Sequence, residues 1–116
     1  SVWHGTADTT VDPSNALRIV DQWRAVHGLQ EKPSTDTLID SLRRQTWRDA
    51  AGTVLIETNS IAAMAHGTPL DTVGPDACGT PGPFMLDVGI SSTRQIARLF
   101  GYCRDRRGKS AVPHFR

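Results

Sequence analysis

The first eleven residues place the strongest constraint on what this chain can fold into. Val2 and Trp3 are strand-forming residues, and they lead into the segment His4-Gly-Thr-Ala-Asp8, which is typical of a strand end followed by an acidic loop. In open α/β sheets, site residues lie on loops beyond the carboxyl ends of the strands. Asp8 is therefore a candidate site residue on such a loop.

A second segment, Met64-Ala-His-Gly-Thr-Pro69, places a histidine in a loop that contains Gly and Pro and follows another predicted strand. An aspartate followed much later by a histidine, both on loops after strands, is the chain order of the last two members of a Ser…Asp…His triad. No serine of this chain stands in a Gly-x-Ser-x-Gly segment. Asp8 and His66 thus follow the triad order without its first member.

Length and charge limit the class of protein. The chain has 116 residues, of which 38% are hydrophobic, enough for one domain with a modest core. The net charge of +1 favours neither nucleic acid nor an acidic membrane surface as a partner. No apolar run approaches the ~20 residues of a membrane span. Because the chain starts at Ser1, inside a predicted strand, and shows no signal peptide, we expect a fragment or a processed product.

A helix is predicted from the segment Asp12-Pro-Ser-Asn15, which carries cap residues and a proline at the start, to Gly28, a C-terminal cap. Its apolar residues recur at steps of three and four, and we expect this face to pack on a sheet, with Trp23 in the core. They are Ala16, Leu17, Ile19, Val20, Trp23 and Val26. The following residues, Leu29 to Asp40, show little periodicity and are predicted to form a loop.

Two extended runs, Leu42 to Arg48 and Thr53 to Ile61, flank the segment Asp49-Ala-Ala-Gly52 and predict a β-hairpin. The second run opens with an apolar triplet, Val54-Leu-Ile56, which suits a strand covered on both faces. The first run carries three arginines, at positions 43, 44 and 48, which we interpret as the charged face of an edge strand rather than an anion site.

The density of Gly and Pro between Met64 and Gly89 excludes a long helix or a central strand and predicts a loop. A last helix is predicted to begin at Ser92, with Gln95 completing a capping box, and to end at Gly101. Its inner stripe is predicted to consist of Ile96, Leu99 and Phe100.

Several motifs together resemble one known family. They are His4-Gly-Thr-Ala-Asp8 with Val11, Pro13 and Asn15, then Gln22-Trp23, Met64-Ala-His-Gly-Thr-Pro69, Cys78-Gly79, Asp87-Val-Gly89 and Ile96-Ala-Arg98. In this order they resemble the C-terminal half of the poly(3-hydroxybutyrate) depolymerase family, secreted esterases of the α/β-hydrolase fold. Relatives in that family include feruloyl and acetylxylan esterases. The resemblance extends from Val2 to about Gly101.

The resemblance implies an α/β fold: the C-terminal part of an α/β-hydrolase, with a few sheet strands and packed helices, lacking the N-terminal half. Residues 1–103 would be the C-terminal portion of the catalytic domain, and residues 104–116 a basic tail. Asp8 and His66 match the catalytic aspartate and histidine of the family, whose nucleophilic serine and oxyanion hole would lie upstream of Ser1. The implied activity is hydrolysis of an ester or polyester outside the cell, without a cofactor, and the chain alone is expected to be inactive.

Two alternative hypotheses compete with that function. The enzyme could instead be a feruloyl or acetylxylan esterase. The chain could also be a non-catalytic module, a truncated relative that keeps the fold for packing or partner binding, because it has no nucleophile segment. A polymer substrate would favour exposed apolar residues around the site, and Trp47 is the candidate for that role.

Other acidic and histidine residues are assigned lesser roles. Asp12 suits a helix cap, and Asp71 follows His66 so closely that it suits a bond within its own loop. His4 is expected to pack at the strand end. His27 and His114, at a helix end and in the tail, receive no role.

Metal binding and a disulfide are further alternatives. His4, Asp8 and His66 offer nitrogen and oxygen ligands, but neither a His-x-x-x-His nor a paired-Cys spacing supports a metal site. Cys78 and Cys103 allow one intrachain disulfide, which spacing alone does not decide. The family often carries a cysteine where this chain has Ser91, so Cys103 is the substitute partner that the resemblance leaves for Cys78.

Overall fold

The computed structural model describes residues 1–102, so Cys103 and the basic tail lie outside the described residues. The chain divides into two compact units, Ser1–His66 and a second unit that begins at Gly67. The elements in chain order are β1 (Val2–Gly5), α1 (Ser14–His27), β2 (Thr35–Ile39), β3 (Leu42–Arg48), β4 (Val54–Ile61), β5 (Thr68–Leu70), β6 (Met85–Asp87) and α2 (Ser92–Leu99). In this part of the chain no helix is long and apolar enough to cross a membrane.

The first unit is built on a four-stranded mixed sheet in the order β1-β4-β3-β2. β1 and β4 are parallel neighbours, whereas the β2–β3 and β3–β4 pairs are antiparallel. The β3–β4 pair confirms the predicted hairpin. Because parallel strands end at the same edge of a sheet, the loops that follow β1 and β4 leave the sheet side by side. A mixed sheet in the first unit and one helix in each unit are compatible with the predicted α/β class.

The predicted loop at Leu29 to Asp40 is wrong in its second half, which forms β2 (Thr35–Ile39). The run carries β-branched residues at positions 35, 37 and 39, and a tight turn through Asp40 joins it to β3. All five residues of β2 are exposed, so the strand has no buried apolar face. Without such a face the period-2 pattern that reveals a strand is weak.

The presence of β2 also corrects the interpretation of the arginines, because β3 is an interior strand and not an edge. Arg43 donates to the carboxylate of Asp36 on β2, with an Nη2–Oδ2 distance of 2.6 Å. Arg44 forms a salt bridge with Glu57 on β4, whose carboxylate is buried. The ion pairs of these two arginines therefore link β3 to its neighbours on both sides.

Helix α1 ends as predicted, since Gly28 takes the left-handed conformation at its C-terminus, with φ of 63°. Fewer of its apolar side chains are buried than predicted. Val20 is buried against Trp47 and Ile56, which form the core of the first unit. Trp23 is 49% exposed, so the prediction that it lies in the core is wrong.

An apolar residue of the sheet is also more exposed than predicted. Leu55 in β4 is 36% exposed, which contradicts the expectation that the triplet Val54-Leu-Ile56 is covered on both faces. The residues of α1 that a helical period assigned to one buried face are mostly exposed: Leu17, Ile19, Trp23 and Val26. Periodicity identifies an apolar face, but it does not identify which elements cover it.

In the second unit, the segment predicted as a loop contains two short parallel strands, β5 and β6, and is otherwise irregular. Helix α2 is capped one residue earlier than predicted. The Ser91 side chain, not Ser92, accepts a hydrogen bond from the backbone N–H of Arg94. Ser92 instead donates its hydroxyl to the Pro69 carbonyl, so the predicted capping box with Gln95 is wrong. The exposed side chain of Phe100 likewise does not belong to an inner stripe.

The turn between β2 and β3 generates a stability prediction. Asp40 adopts φ of 52°, in the left-handed region that costs a residue with a Cβ about 1 kcal/mol. We expect Asp40→Gly in the full-length protein to raise the free energy of unfolding by a few tenths to about 1 kcal/mol. Urea denaturation measures the change. Ser41→Gly in the same turn is the control, because Ser41 has no positive φ to relieve; equal stabilisation by both variants would contradict this account.

Candidate active site

The structure brings the two predicted site residues together. His66 Nδ1 lies 2.9 Å from Asp8 Oδ2, although the two residues are 58 positions apart in the chain. The carboxylate accepts the bond, so the imidazole donates from Nδ1. The Asp8 side chain is only 5% exposed, whereas that of His66 is 40% exposed. The arrangement is therefore a buried carboxylate that orients a histidine with access to solvent.

The main chain fixes this distance. The loop after β1 is hydrogen-bonded at three points to the last residue of β4 and the loop that follows it. Thr6 N–H donates to the Ile61 carbonyl at 2.9 Å, and Ala7 N–H donates to the Met64 carbonyl at 3.0 Å. In return, Ala63 N–H donates to the Thr6 hydroxyl at 2.8 Å. The aspartate and the histidine thus stand on two loops that are held as one structure.

Asp8 also closes its own loop. Its Oδ1 atom accepts the backbone N–H groups of Thr10 and Val11 at 2.9 and 2.8 Å. Burial alone would raise the pKa of the Asp8 carboxyl. The hydrogen bonds from Val11, His66 and Thr10 outweigh burial, so the pKa falls below its ordinary value of 3.8. The Asp8 carboxyl is therefore ionised at neutral pH.

His4 contacts the same carboxylate, which the sequence did not indicate. Its Nε2 atom lies 3.0 Å from the Val11 carbonyl and 3.3 Å from Asp8 Oδ2. We expected His4 only to pack at the strand end. The missed contact depends on how the loop after β1 folds back over the strand, and no spacing rule for helices or strands describes such a return.

The competing residues adopt the lesser roles expected of them. Asp12 Oδ1 accepts the backbone N–H of Ser14 at the start of α1. Asp71 is buried and accepts the backbone N–H groups of Val73 and Gly74 within its own loop. His27 is exposed at the end of α1, where it stacks on Trp23, and His114 lies outside the described residues.

Trp47 does not lie where a substrate contact was expected. It is 6% exposed, and its indole N–H donates to the Glu31 carbonyl. It pairs with Ile56, near the start of β4, whereas His66 follows the end of that strand. Within residues 1–102, no group of three or more His, Cys, Asp or Glu side chains is arranged to hold a metal ion. The alternative metal site at His4, Asp8 and His66 therefore has no support in the geometry.

The close approach of the two loops depends on Gly5 at the end of β1. A Cβ atom at this position would lie 2.1 Å from the Met64 carbonyl oxygen, far inside van der Waals contact. We expect Gly5→Ala to force the loops apart and to lower the free energy of unfolding of the full-length protein by about 1–3 kcal/mol. Gly82→Ala is the matched control, because a Cβ there meets no atom within 4 Å. Equal stability of both variants would show that the loops are not in contact.

The lowered pKa of Asp8 predicts an acid dependence of stability. Above 3.8 the carboxylate is ionised in both the folded and the unfolded state, and its hydrogen bonds stabilise the fold in full. That contribution is lost as the pH falls through the lower pKa of the folded state. We expect Asp8→Asn to flatten the fall in unfolding free energy between about pH 5 and pH 2.5, measured by urea denaturation. Asp21→Asn, which removes an exposed carboxylate of α1, controls for the loss of one negative charge; an identical slope in both variants would be the contrary result.

Comparison with known proteins gives two curated relatives, while no protein-family model matches the chain. The chain is 38% identical over 102 residues to the poly(3-hydroxyalkanoate) depolymerase C of Paucimonas lemoignei, a match that covers 87% of this chain and 25% of the relative. It is 35% identical over 69 residues to an acetylxylan esterase of Coprinopsis cinerea, covering 59% of this chain and 18% of that relative. The chain thus spans a quarter or less of the length of each. The predicted family resemblance is confirmed: over most of its length this chain is homologous to one part of a poly(3-hydroxyalkanoate) depolymerase.

Proposed function

We propose that this chain is the part of a serine carboxylic ester hydrolase that carries the aspartate and histidine of the triad, with Asp8 and His66 in those roles. The observation that carries the proposal is the hydrogen bond of 2.9 Å from His66 Nδ1 to Asp8 Oδ2. It joins two residues in the order and position that the α/β-hydrolase triad requires. The depolymerase and esterase names of the relatives agree with ester hydrolysis.

The proposed chemistry is acyl transfer. A serine outside this chain attacks the ester carbonyl, and His66 accepts its proton as general base through the ring nitrogen opposite Nδ1. The ionised Asp8 fixes the imidazole in the tautomer with Nδ1–H and stabilises the imidazolium that forms. His66 then returns the proton to the leaving alcohol. Water hydrolyses the acyl-enzyme in a second step with the same proton transfers in reverse order.

We propose that the serine and the oxyanion hole belong to the N-terminal half of an α/β-hydrolase domain that packs against this chain. Two features of the described residues support this. β1 lies at an edge of the sheet and has one side available for a further strand. The face of α1 that carries Leu17 and Trp23 is exposed although it is apolar. A neighbouring part of the same domain would cover both, and by itself the chain would have no nucleophile.

The proposed substrate is a polyester of hydroxyalkanoic acids, the class that the name of the first relative gives for that protein, and we propose that the enzyme acts on it outside the cell. The second relative favours an alternative, the removal of acetyl groups from a polysaccharide. A feruloyl ester is a further candidate of the same reaction class. Hydrolysis rates of the full-length enzyme on a polyhydroxybutyrate suspension, acetylated xylan and methyl ferulate distinguish the three.

The central prediction concerns His66. We expect His66→Ala in the full-length enzyme to lower kcat for a chromogenic short-chain ester by about 10³-fold or more, because no base then activates the serine. His27→Ala removes an exposed histidine at the end of α1 and is the matched control. If His66→Ala stays within about twofold of the wild type, the assignment is wrong.

The same assay tests the alternative of a non-catalytic module. That alternative predicts no turnover by the wild-type protein at all. Turnover that a serine-directed fluorophosphonate blocks would exclude it, because this reagent requires an activated serine.

A further inference from the structure

We propose that His4 is a positioning residue for Asp8: its Nε2–H group holds the Val11 carbonyl, and with it the loop that carries the carboxylate, in the orientation that His66 requires. The inference rests on the proposed esterase function, because it gives His4 a part in the placement of the triad aspartate. None of the motifs that indicate the function assigns a role to this histidine.

The proton on His4 can be placed from its partners. Nε2 lies 3.0 Å from the Val11 carbonyl oxygen, which only accepts hydrogen bonds. Nε2 must therefore carry a proton. The second neighbour of the same atom, Asp8 Oδ2 at 3.3 Å, is also an acceptor. The N–H group therefore donates to the Val11 carbonyl, and the carboxylate is a longer polar contact of the same nitrogen.

The Asp8 carboxylate is held by three hydrogen bonds and contacts His4. An ionised carboxylate offers about four acceptor positions on its two oxygens. In Asp8, the backbone N–H groups of Thr10 and Val11 occupy two positions on Oδ1, and His66 occupies one on Oδ2. His4 Nε2 lies 3.3 Å from Oδ2, as a polar contact beside these three hydrogen bonds. A carboxylate held from both oxygens has no freedom to rotate about its terminal bond.

His4 also braces the loop as a whole. Val11 donates its N–H to Asp8 Oδ1 and receives the Nε2–H of His4 on its carbonyl. His4, Asp8 and Val11 therefore form a closed ring of contacts. The residues between the last two, Thr9 and Thr10, are exposed. His4 stands on β1, so it ties this exposed loop to a regular element of the sheet.

The same contacts exclude a direct part in proton transfer. The His4 side chain is 14% exposed, and Nε2 is directed at Val11 and Asp8. His4 acts on the reaction through Asp8 and is for that reason a positioning residue rather than a catalytic one.

Two substitutions in the full-length enzyme test the proposal. His4→Phe keeps a ring of similar size but removes the donor, and His4→Gln keeps an N–H at about the same reach. We expect His4→Phe to lower kcat for a chromogenic ester about tenfold with KM within about twofold, because the orientation of Asp8 contributes to the chemical step. We expect His4→Gln to keep kcat within about threefold of the wild type.

The outcomes separate this inference from the function on which it rests. If His66→Ala inactivates the enzyme but His4→Phe does not change kcat, the role of His4 is wrong and the esterase function stands. If His4→Phe and His4→Gln are impaired equally, the donor is not what matters and the role is again wrong. If His66→Ala remains active, the proposed function fails, and the inference fails with it.

A measurement on the wild-type protein decides the case even if His4→Phe does not fold. The ¹⁵N shifts of histidine-labelled full-length protein report which ring nitrogen carries the proton. The proposal requires a proton on Nε2 of His4, which donates to the Val11 carbonyl. For His66 it requires the opposite tautomer, with the proton on Nδ1. An unprotonated Nε2 in His4 would overturn the proposal, since it could not donate to the Val11 carbonyl.

Discussion

The parallel pairing of β1 with β4 is the interaction on which the rest of the first unit depends. It aligns Val2 to Gly5 with Thr58 to Ile61, residue for residue, so both strands end at the same level. The two loops that leave this edge then meet through their backbone hydrogen bonds, with Gly5 allowing the close approach. The Asp8–His66 distance is a consequence of sheet register rather than of side-chain packing. A slip of one residue in that register would exchange the faces of β1 and separate the pair.

Two buried carboxylates in the same unit are stabilised in different ways. Glu57 forms a salt bridge with Arg44 and accepts further bonds from Asn59 and Ser1, so a permanent cation neutralises it. Asp8 instead accepts two backbone N–H groups and the imidazole N–H group of His66. Its negative charge is therefore held in place by dipoles and is available to an imidazolium when His66 takes up a proton. The first arrangement suits a structural role in the sheet, and the second suits a site at which charge develops and disappears.

The sequence predicted the local elements that carry strong signals. The Gly28 cap, the turn at Gly52 and the Asp8 and His66 loops each depend on residue types with narrow conformational preferences, and the structure contains all of them. It did not predict β2, which has no buried face, or the exposure of Trp23, because burial depends on elements distant in the chain. The contact of His4 with Asp8 was missed for a related reason, since it arises from the return of a loop over its own strand.

The edge position of β1 has a consequence for the lifetime of the site. The strand has four residues and, within the described part of the chain, one neighbour, so few hydrogen bonds hold it to the sheet. Detachment of β1 would displace Asp8 and His4 together. The antiparallel strands β2, β3 and β4 would remain paired. Sub-global openings of this kind require less free energy than complete unfolding. Thermal inactivation of such a site would then precede the melting of the sheet. A neighbouring strand that pairs with the outer side of β1 would raise the temperature of inactivation more than the temperature at which the sheet unfolds.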